Sequence, residues 1–164
     1  MFIEELFPNY KVYIGQNELL FSTTQNIGEI YKIHGCIKEI NSLVLTDYDY
    51  HDFEEKNKYL ASKLITLFIE HLIIFIGYSL SDPNIKSILK SIALCIGEEH
   101  INQLRKNLIF VQRLKNGEKD SVSHTYHTID DVQIPIVLVK TNDFRKVYRA
   151  LSHFKSKIPV NLLR

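Results

Sequence analysis

A chain of 164 residues suits one domain of ordinary size, here residues 1–164. With 45% hydrophobic and 24% charged residues it has enough apolar side chains to bury a core, which excludes a disordered chain. Twenty Lys and Arg against 19 Asp and Glu leave a net charge of +1, too weak a field to draw a polyanion, so no nucleic-acid partner is expected.

The first ten residues contain Glu4 and Glu5 and lack a basic start followed by an apolar run, so no secretory signal is read and the cytoplasm is the expected compartment. A strand is expected over Glu29–Ile33, stopping at His34-Gly35, and a second short one over Ser42–Leu45. Thr46 and Asp49 stand in the S/T-x-x-D/E arrangement that caps a helix start. The helical pattern then runs, with a break allowed, to about Glu70, and Tyr59, Leu60, Lys63, Leu64, Leu67 and Phe68 form its mostly apolar face.

Leu72 to Ile76 is a continuous apolar run ended by Gly77, as a central parallel strand covered on both faces by helices requires. Leu64–Leu80 is the most apolar stretch, yet Glu70 and His71 sit at its centre, where a charge in a bilayer costs about 2.5–3.5 kcal/mol. A buried helix followed by a strand is therefore expected, and no membrane partner. Ser81 or Asp82 can cap the next helix, with Pro83 at its first position and Ile85, Ile88, Leu89 and Ile92 as its buried stripe up to Gly97.

Strands are expected over Leu108–Val111 and Ile134–Val139, with the polar stretch Lys115–His124 between them as a loop or insertion. The last helix begins near Asn142 and turns Phe144, Val147, Tyr148, Leu151 and Phe154 inward. Arg145, Lys146, Arg149, Lys155 and Lys157 read as its solvated outer face. Alternating strands and helices imply an α/β fold: a Rossmann-like, doubly wound, mainly parallel sheet with helices on both faces. In such a sheet ligands sit beyond the carboxyl ends of the strands, where His34-Gly35 and Gly77-Tyr78-Ser79 both fall, so two strand ends nominate one site.

Cys36 and Cys95 exclude a four-cysteine zinc site, and no metal is expected. His124 and His127 have only a loose ligand-like spacing and read as a surface-loop pair. Gly77-Tyr78-Ser79-Leu80-Ser81 approximates the G-x-S-x-G nucleophile elbow of serine hydrolases, but Asp82-Pro83 delays the helix beyond where an elbow needs it.

Taken in order and spacing, Ile30-Tyr31-Lys32-Ile33-His34-Gly35, then Leu43-Val44-Leu45-Thr46-Asp47-Tyr48-Asp49-Tyr50, then Phe75-Ile76-Gly77-Tyr78-Ser79-Leu80-Ser81-Asp82-Pro83-Asn84-Ile85 resemble the bacterial sirtuin-like domains of anti-phage defence proteins. The resemblance covers about residues 1–154 and implies NAD as ligand or substrate, with hydrolysis of the nicotinamide–ribose bond in active members. His34 matches the family histidine. Cleavage through an oxocarbenium-like sugar needs a base near neutral pKa, which imidazole supplies. The resemblance places Gly35, Gly77, Tyr78 and Ser79 against the nucleotide, and Asp82 as a helix cap.

Family members begin with a strand and a glycine-rich turn that cradles the NAD diphosphate, then reach an Asn in a Thr-Thr-Asn-Tyr-Asp-like element. Neither is present here, and Phe2–Pro8 resembles the family segment just after that Asn, so the catalytic Asn is expected upstream of Met1 and the first strands are expected to be missing. Thr24-Gln25-Asn26-Ile27 echoes the TQNI element of deacetylating sirtuins, but Asn26 stands too close to His34. An uncovered strand edge is expected to favour a homo-oligomer or completion by the missing amino-terminal half. The expected function is NAD glycohydrolase, weak or lost in this chain for want of the Asn. The alternative is a non-catalytic nucleotide-binding or oligomerisation module.

Overall fold

The computed structural model describes residues 3–15, 17, 18, 20, 28–46, 48, 49 and 58–153. They fall into two compact units, residues 1–70 and 71–164. Both are mixed α/β with parallel strands, consistent with the Rossmann-like reading. Asn26, Phe154, Lys155 and Lys157 lie outside the described residues.

In the first unit a short helix α1 (Ile3–Leu6) precedes the strands β1 (Lys11–Ile14) and β2 (Glu29–Lys32), which pair in parallel with Lys11 opposite Glu29 and Ile14 opposite Lys32. Helix α2 (Lys58–Glu70) sets Leu60 against Tyr13, at 2% and 3% exposure, with Tyr31, Ile33 and Leu64 packed around them. Tyr13 and Tyr31 stack at 5.5 Å, and Lys63 lies 5.2 Å over the Tyr31 ring. The Tyr31 hydroxyl donates to Glu29 Oε2, and burial, then this carboxylate, pushes its pKa upward. Of the predicted α2 face Leu60 and Phe68 are buried, while Tyr59 is exposed.

The strand expected over Ser42–Leu45 does not form. Ile40–Ser42 is instead a 3-10 turn, because the Ser42 hydroxyl donates to Glu39 O at 2.6 Å and accepts from Cys36 N at 3.0 Å. Such local side-chain bonds compete with a strand ladder, while the backbone bond from Val44 N to His34 O at 3.3 Å links this stretch to the end of β2. Downstream, the predicted cap is present in both directions: Thr46 N donates to Asp49 Oδ2 at 2.8 Å and Asp49 N to Thr46 Oγ1 at 3.2 Å. The amides of Thr46 and Leu45 hold the Asp49 carboxyl below its usual range.

The second unit is a four-stranded sheet in the order β3 (Ile73–Ile76), β4 (Leu108–Gln112), β6 (Val132–Lys140), β5 (Ser121–Ile129). β3, β4 and β6 are parallel and β5 is antiparallel to β6. The crossover from β3 to β4 is helix α3 (Pro83–Ile96) followed by a 3-10 turn over Ile101–Lys106. Leu89 and Ile92 of α3 are fully buried, as are Leu108, Phe110 and Ile134 of the sheet, and Phe75 stacks on Phe110 at 4.1 Å. Gly97, at φ +76, ends α3 by donating its amide to Ala93 O.

Strand β5 replaces part of the loop expected over Lys115–His124, and it removes His127 from a surface loop altogether. Its sequence is polar along most of its length, so no apolar alternation announced it. The ladder with β6, from Ser121–Lys140 to Ile129–Val132, forms because the two-residue Asp130-Asp131 connection, with Asp130 at φ +50, suits a tight hairpin. The last helix, α4 (Phe144–Ser152), half-buries Phe144, Val147 and Leu151, and the latter two line an apolar cavity of about 400 Å³ together with Ile74, Val111 and Val139. Tyr148, expected inward, is 57% exposed. It stands at the margin of the narrow stripe set by positions 144, 147 and 151.

Asp82 is the N-cap of α3, its Oδ1 accepting from Asn84 N at 2.9 Å and Ile85 N at 3.3 Å, with Pro83 at the first helical position. Asp82→Ala is expected to lower stability by about 1 kcal/mol in urea titration, and Asp82→Ser to recover most of it. An alanine variant as stable as the parent would show that the cap contributes nothing here.

Candidate functional site

Two turns carry the residues expected at the site, one in each unit. The first follows β2. Gly35 N donates to Lys32 O at 3.2 Å, Gly35 takes φ +84, and the His34 carbonyl accepts from Val44 N, so the backbone on both sides of His34 is fixed. A Cβ on Gly35 would lie 2.1 Å from the Ser42 carbonyl oxygen, so the tight turn admits only glycine. The His34 side chain is half-buried.

Beside this turn lies a polar cluster that sequence reading missed. Lys32 Nζ meets Glu4 Oε1 at 2.5 Å and Cys36 Sγ at 3.2 Å, with the Lys32 and Glu4 side chains only 16% and 18% exposed. The hydrogen bond to Glu4 raises the Lys32 pKa, and the same bond lowers that of Glu4. The Lys38 amide, then the Lys32 ammonium, holds the Cys36 thiol below its ordinary value. Glu4 and Lys32 are far apart in sequence, so no local spacing signals the pair. It ties α1 to the residue that ends β2, two positions before His34.

The second turn follows β3. Gly77 takes φ +83, and nothing lies within 4 Å of where its Cβ would project, so the backbone there is open to a ligand. Tyr78 and Ser79 are exposed. The Ser79 hydroxyl is 2.7 Å from that of Ser81 and accepts from Ser81 N at 3.1 Å, while Asp82 N donates to Ser79 O. These bonds set a polar turn of small side chains ahead of α3. The Asn84 and Ile85 amides are taken up by the Asp82 carboxylate, so the start of α3 is already neutralised.

The serine-hydrolase alternative finds no support in this turn. Ser79 pairs with another serine hydroxyl and not with an imidazole. Positive φ outside glycine is confined to Asp130 among the described residues, so Ser79 lacks the strained backbone of a nucleophile elbow.

The match to known proteins spans both turns. The SIR2-like domain family matches residues 1–129, which include His34, Gly35 and Gly77–Ser79. The chain is 31% identical over 94 residues to the NAD(+) hydrolase ThsA of Cytobacillus dafuensis, an alignment covering 57% of this chain and 19% of that protein. With the NAD(+) hydrolase ThsA of Enterococcus faecium it is 30% identical over 121 residues, covering 73% of this chain and 24% of that protein. The chain thus spans a quarter or less of the length of these relatives. A mixed α/β fold, a histidine–glycine turn after one parallel strand and a GYSLSDP turn after another accompany this match, and the chain belongs to the SIR2-like domain family.

Proposed function

We propose that this chain binds NAD through the Gly77–Ser79 turn and uses His34 to cleave the nicotinamide–ribose bond, as part of an NAD glycohydrolase of anti-phage defence. The observation that carries the reading is Gly77. Its backbone is left-handed and uncovered at the carboxyl end of a parallel strand, the position where an α/β sheet receives a nucleotide. The naming of both relatives as NAD(+) hydrolases supports NAD as the substrate.

In this scheme the departing nicotinamide takes the bonding electron pair and leaves an oxocarbenium-like ribose. A water then adds to that carbon and gives its proton to the His34 imidazole, so NAD and water yield ADP-ribose, nicotinamide and a proton. Ser79, with a hydroxyl at the open turn, serves the ribose hydroxyls. With Asp82 capping α3, the diphosphate is not placed at that helix start, where a carboxylate already sits.

The test is NAD affinity by calorimetry together with nicotinamide release, for the parent chain and Gly77→Ala. The parent is expected to bind NAD, and the added methyl to weaken binding at least tenfold by entering the open space. A parent that binds no NAD, or a variant that binds it equally well, would overturn the proposal.

A further inference from the structure

Strand β5 ends the four-stranded sheet with only β6 beside it, so one whole edge of its backbone is unpaired within the sheet. Two features fix which groups face that edge. Pro135 stands opposite Tyr126 and has no N–H to give, which suits a non-hydrogen-bonded position of the antiparallel ladder. The two-residue connection agrees, because a tight turn bonds its first residue to its fourth, which makes Ile129–Val132 a hydrogen-bonded pair. Alternation then turns the N–H and C=O groups of Val122, His124, Tyr126 and Thr128 away from β6 and out to the free edge. The side chains of these four are exposed, whereas Ile129 is buried and Thr125 and His127 are half-buried.

A sheet edge is ordinarily guarded by charge, proline, a bulge or shortness. β5 has none of these: Ser121–Ile129 contains no Lys, Arg, Asp, Glu or Pro and pairs with β6 residue for residue over nine positions. Its Val, Thr, Tyr and Ile residues favour extended pairing. β3, at the opposite end of the sheet, has only four residues. We infer that β5 pairs edge to edge and antiparallel with β5 of a second copy, about a two-fold axis at Thr125, joining two sheets into one. In this register Tyr126 lies opposite His124 of the second copy, and Val122 opposite Thr128, so that all four outward-facing residues exchange backbone bonds. The strand is its own complement, because no like charges meet along it and each Tyr126 ring meets an imidazole. Charge also matches beyond its ends. Lys119 falls opposite Asp131 of the second copy; both are exposed, and neither joins an ion pair among the described residues. Asp120 falls opposite Asp130, but Lys146 at 2.8 Å and Lys90 at 2.5 Å already engage these two carboxylates. The Gly77 turn follows β3 at the far end of the sheet, so this contact stands apart from the NAD reading.

The experiment is sedimentation of the full chain over a concentration series, with residue-resolved hydrogen exchange of the β5 amides at both ends of the series. A dimer that grows with concentration is expected, and with it new protection of the Val122, His124, Tyr126 and Thr128 amides. The Ser123, Thr125, His127 and Ile129 amides face β6 and should be protected throughout. The double substitution His124→Lys with Tyr126→Lys sets like charges opposite each other and should weaken the dimer about tenfold or more. His124→Glu with Tyr126→Lys sets opposite charges at the same places and should return the affinity to within about threefold of the parent. A monomer at every concentration would overturn the inference, as would a dimer without new protection at the four amides or equal weakening by the two double substitutions. Protection of the four amides already present in the monomer would mean that another segment of the same chain covers the edge, and would overturn it too. If either double variant fails to fold, the exchange pattern of the parent decides alone.

Discussion

Whatever nicotinamide release from NAD this chain supports is expected to fall about 10²- to 10⁴-fold in His34→Ala, the range typical for removing a positioned general base. NAD affinity should change little, because a general base acts in the chemical step and not in holding the nucleotide. The measurement is single-turnover nicotinamide release with enzyme in excess, beside calorimetric NAD binding. A parent-like rate would remove His34 from the chemistry. Weaker binding with an unchanged rate on saturation would make it a contact for the nucleotide.

Gly35→Ala should instead damage the fold. At φ +84 an L residue costs about 1–2 kcal/mol, and the new Cβ would stand 2.1 Å from a backbone oxygen that no rotamer change can move. Forcing the backbone apart adds about 1–3 kcal/mol. The expected loss is therefore about 2–5 kcal/mol in urea unfolding, with His34 displaced along with its neighbour. Gly77→Ala is the matched control. It has nearly the same φ, +83, but open space around the new methyl, so it should lose only about 1–2 kcal/mol. Equal losses at the two glycines would show that the Ser42 carbonyl is no obstacle.

The parts of this fold that were legible in the sequence are those where one local signal decides. The apolar run of β3, the Asp82-Pro83 cap and the buried stripe of α3 are each complete within a few residues and each forms, although β3, expected at the centre, stands at the end of its sheet and only Phe75 of it is buried. The two turns that carry the candidate residues were legible as turns for the same reason, since a strand ending in His34-Gly35 or Gly77 is a local pattern. The features that were missed depend on partners distant in sequence. β5 is a strand because β6 offers a ladder, although its own residues are mostly polar. The Lys32–Glu4 pair joins residues that no spacing rule connects. The false strand at Ser42–Leu45 has the opposite origin: the apolar residues after Ser42 suggested extension, and a single hydroxyl bonded to Glu39 and Cys36 closed a turn instead.

The hairpin of β5 and β6 also sets the order in which the second unit can lose conformational entropy. Its strands are joined by two residues, so nine cross-strand pairs form on one very short loop closure. Pairing β3 with β4 has to close the whole of α3 and the 3-10 turn, and pairing β4 with β6 has to close around the hairpin itself. The antiparallel edge is thus the element whose formation asks least of the rest of the chain, and the parallel strands can assemble on it as a template already in register.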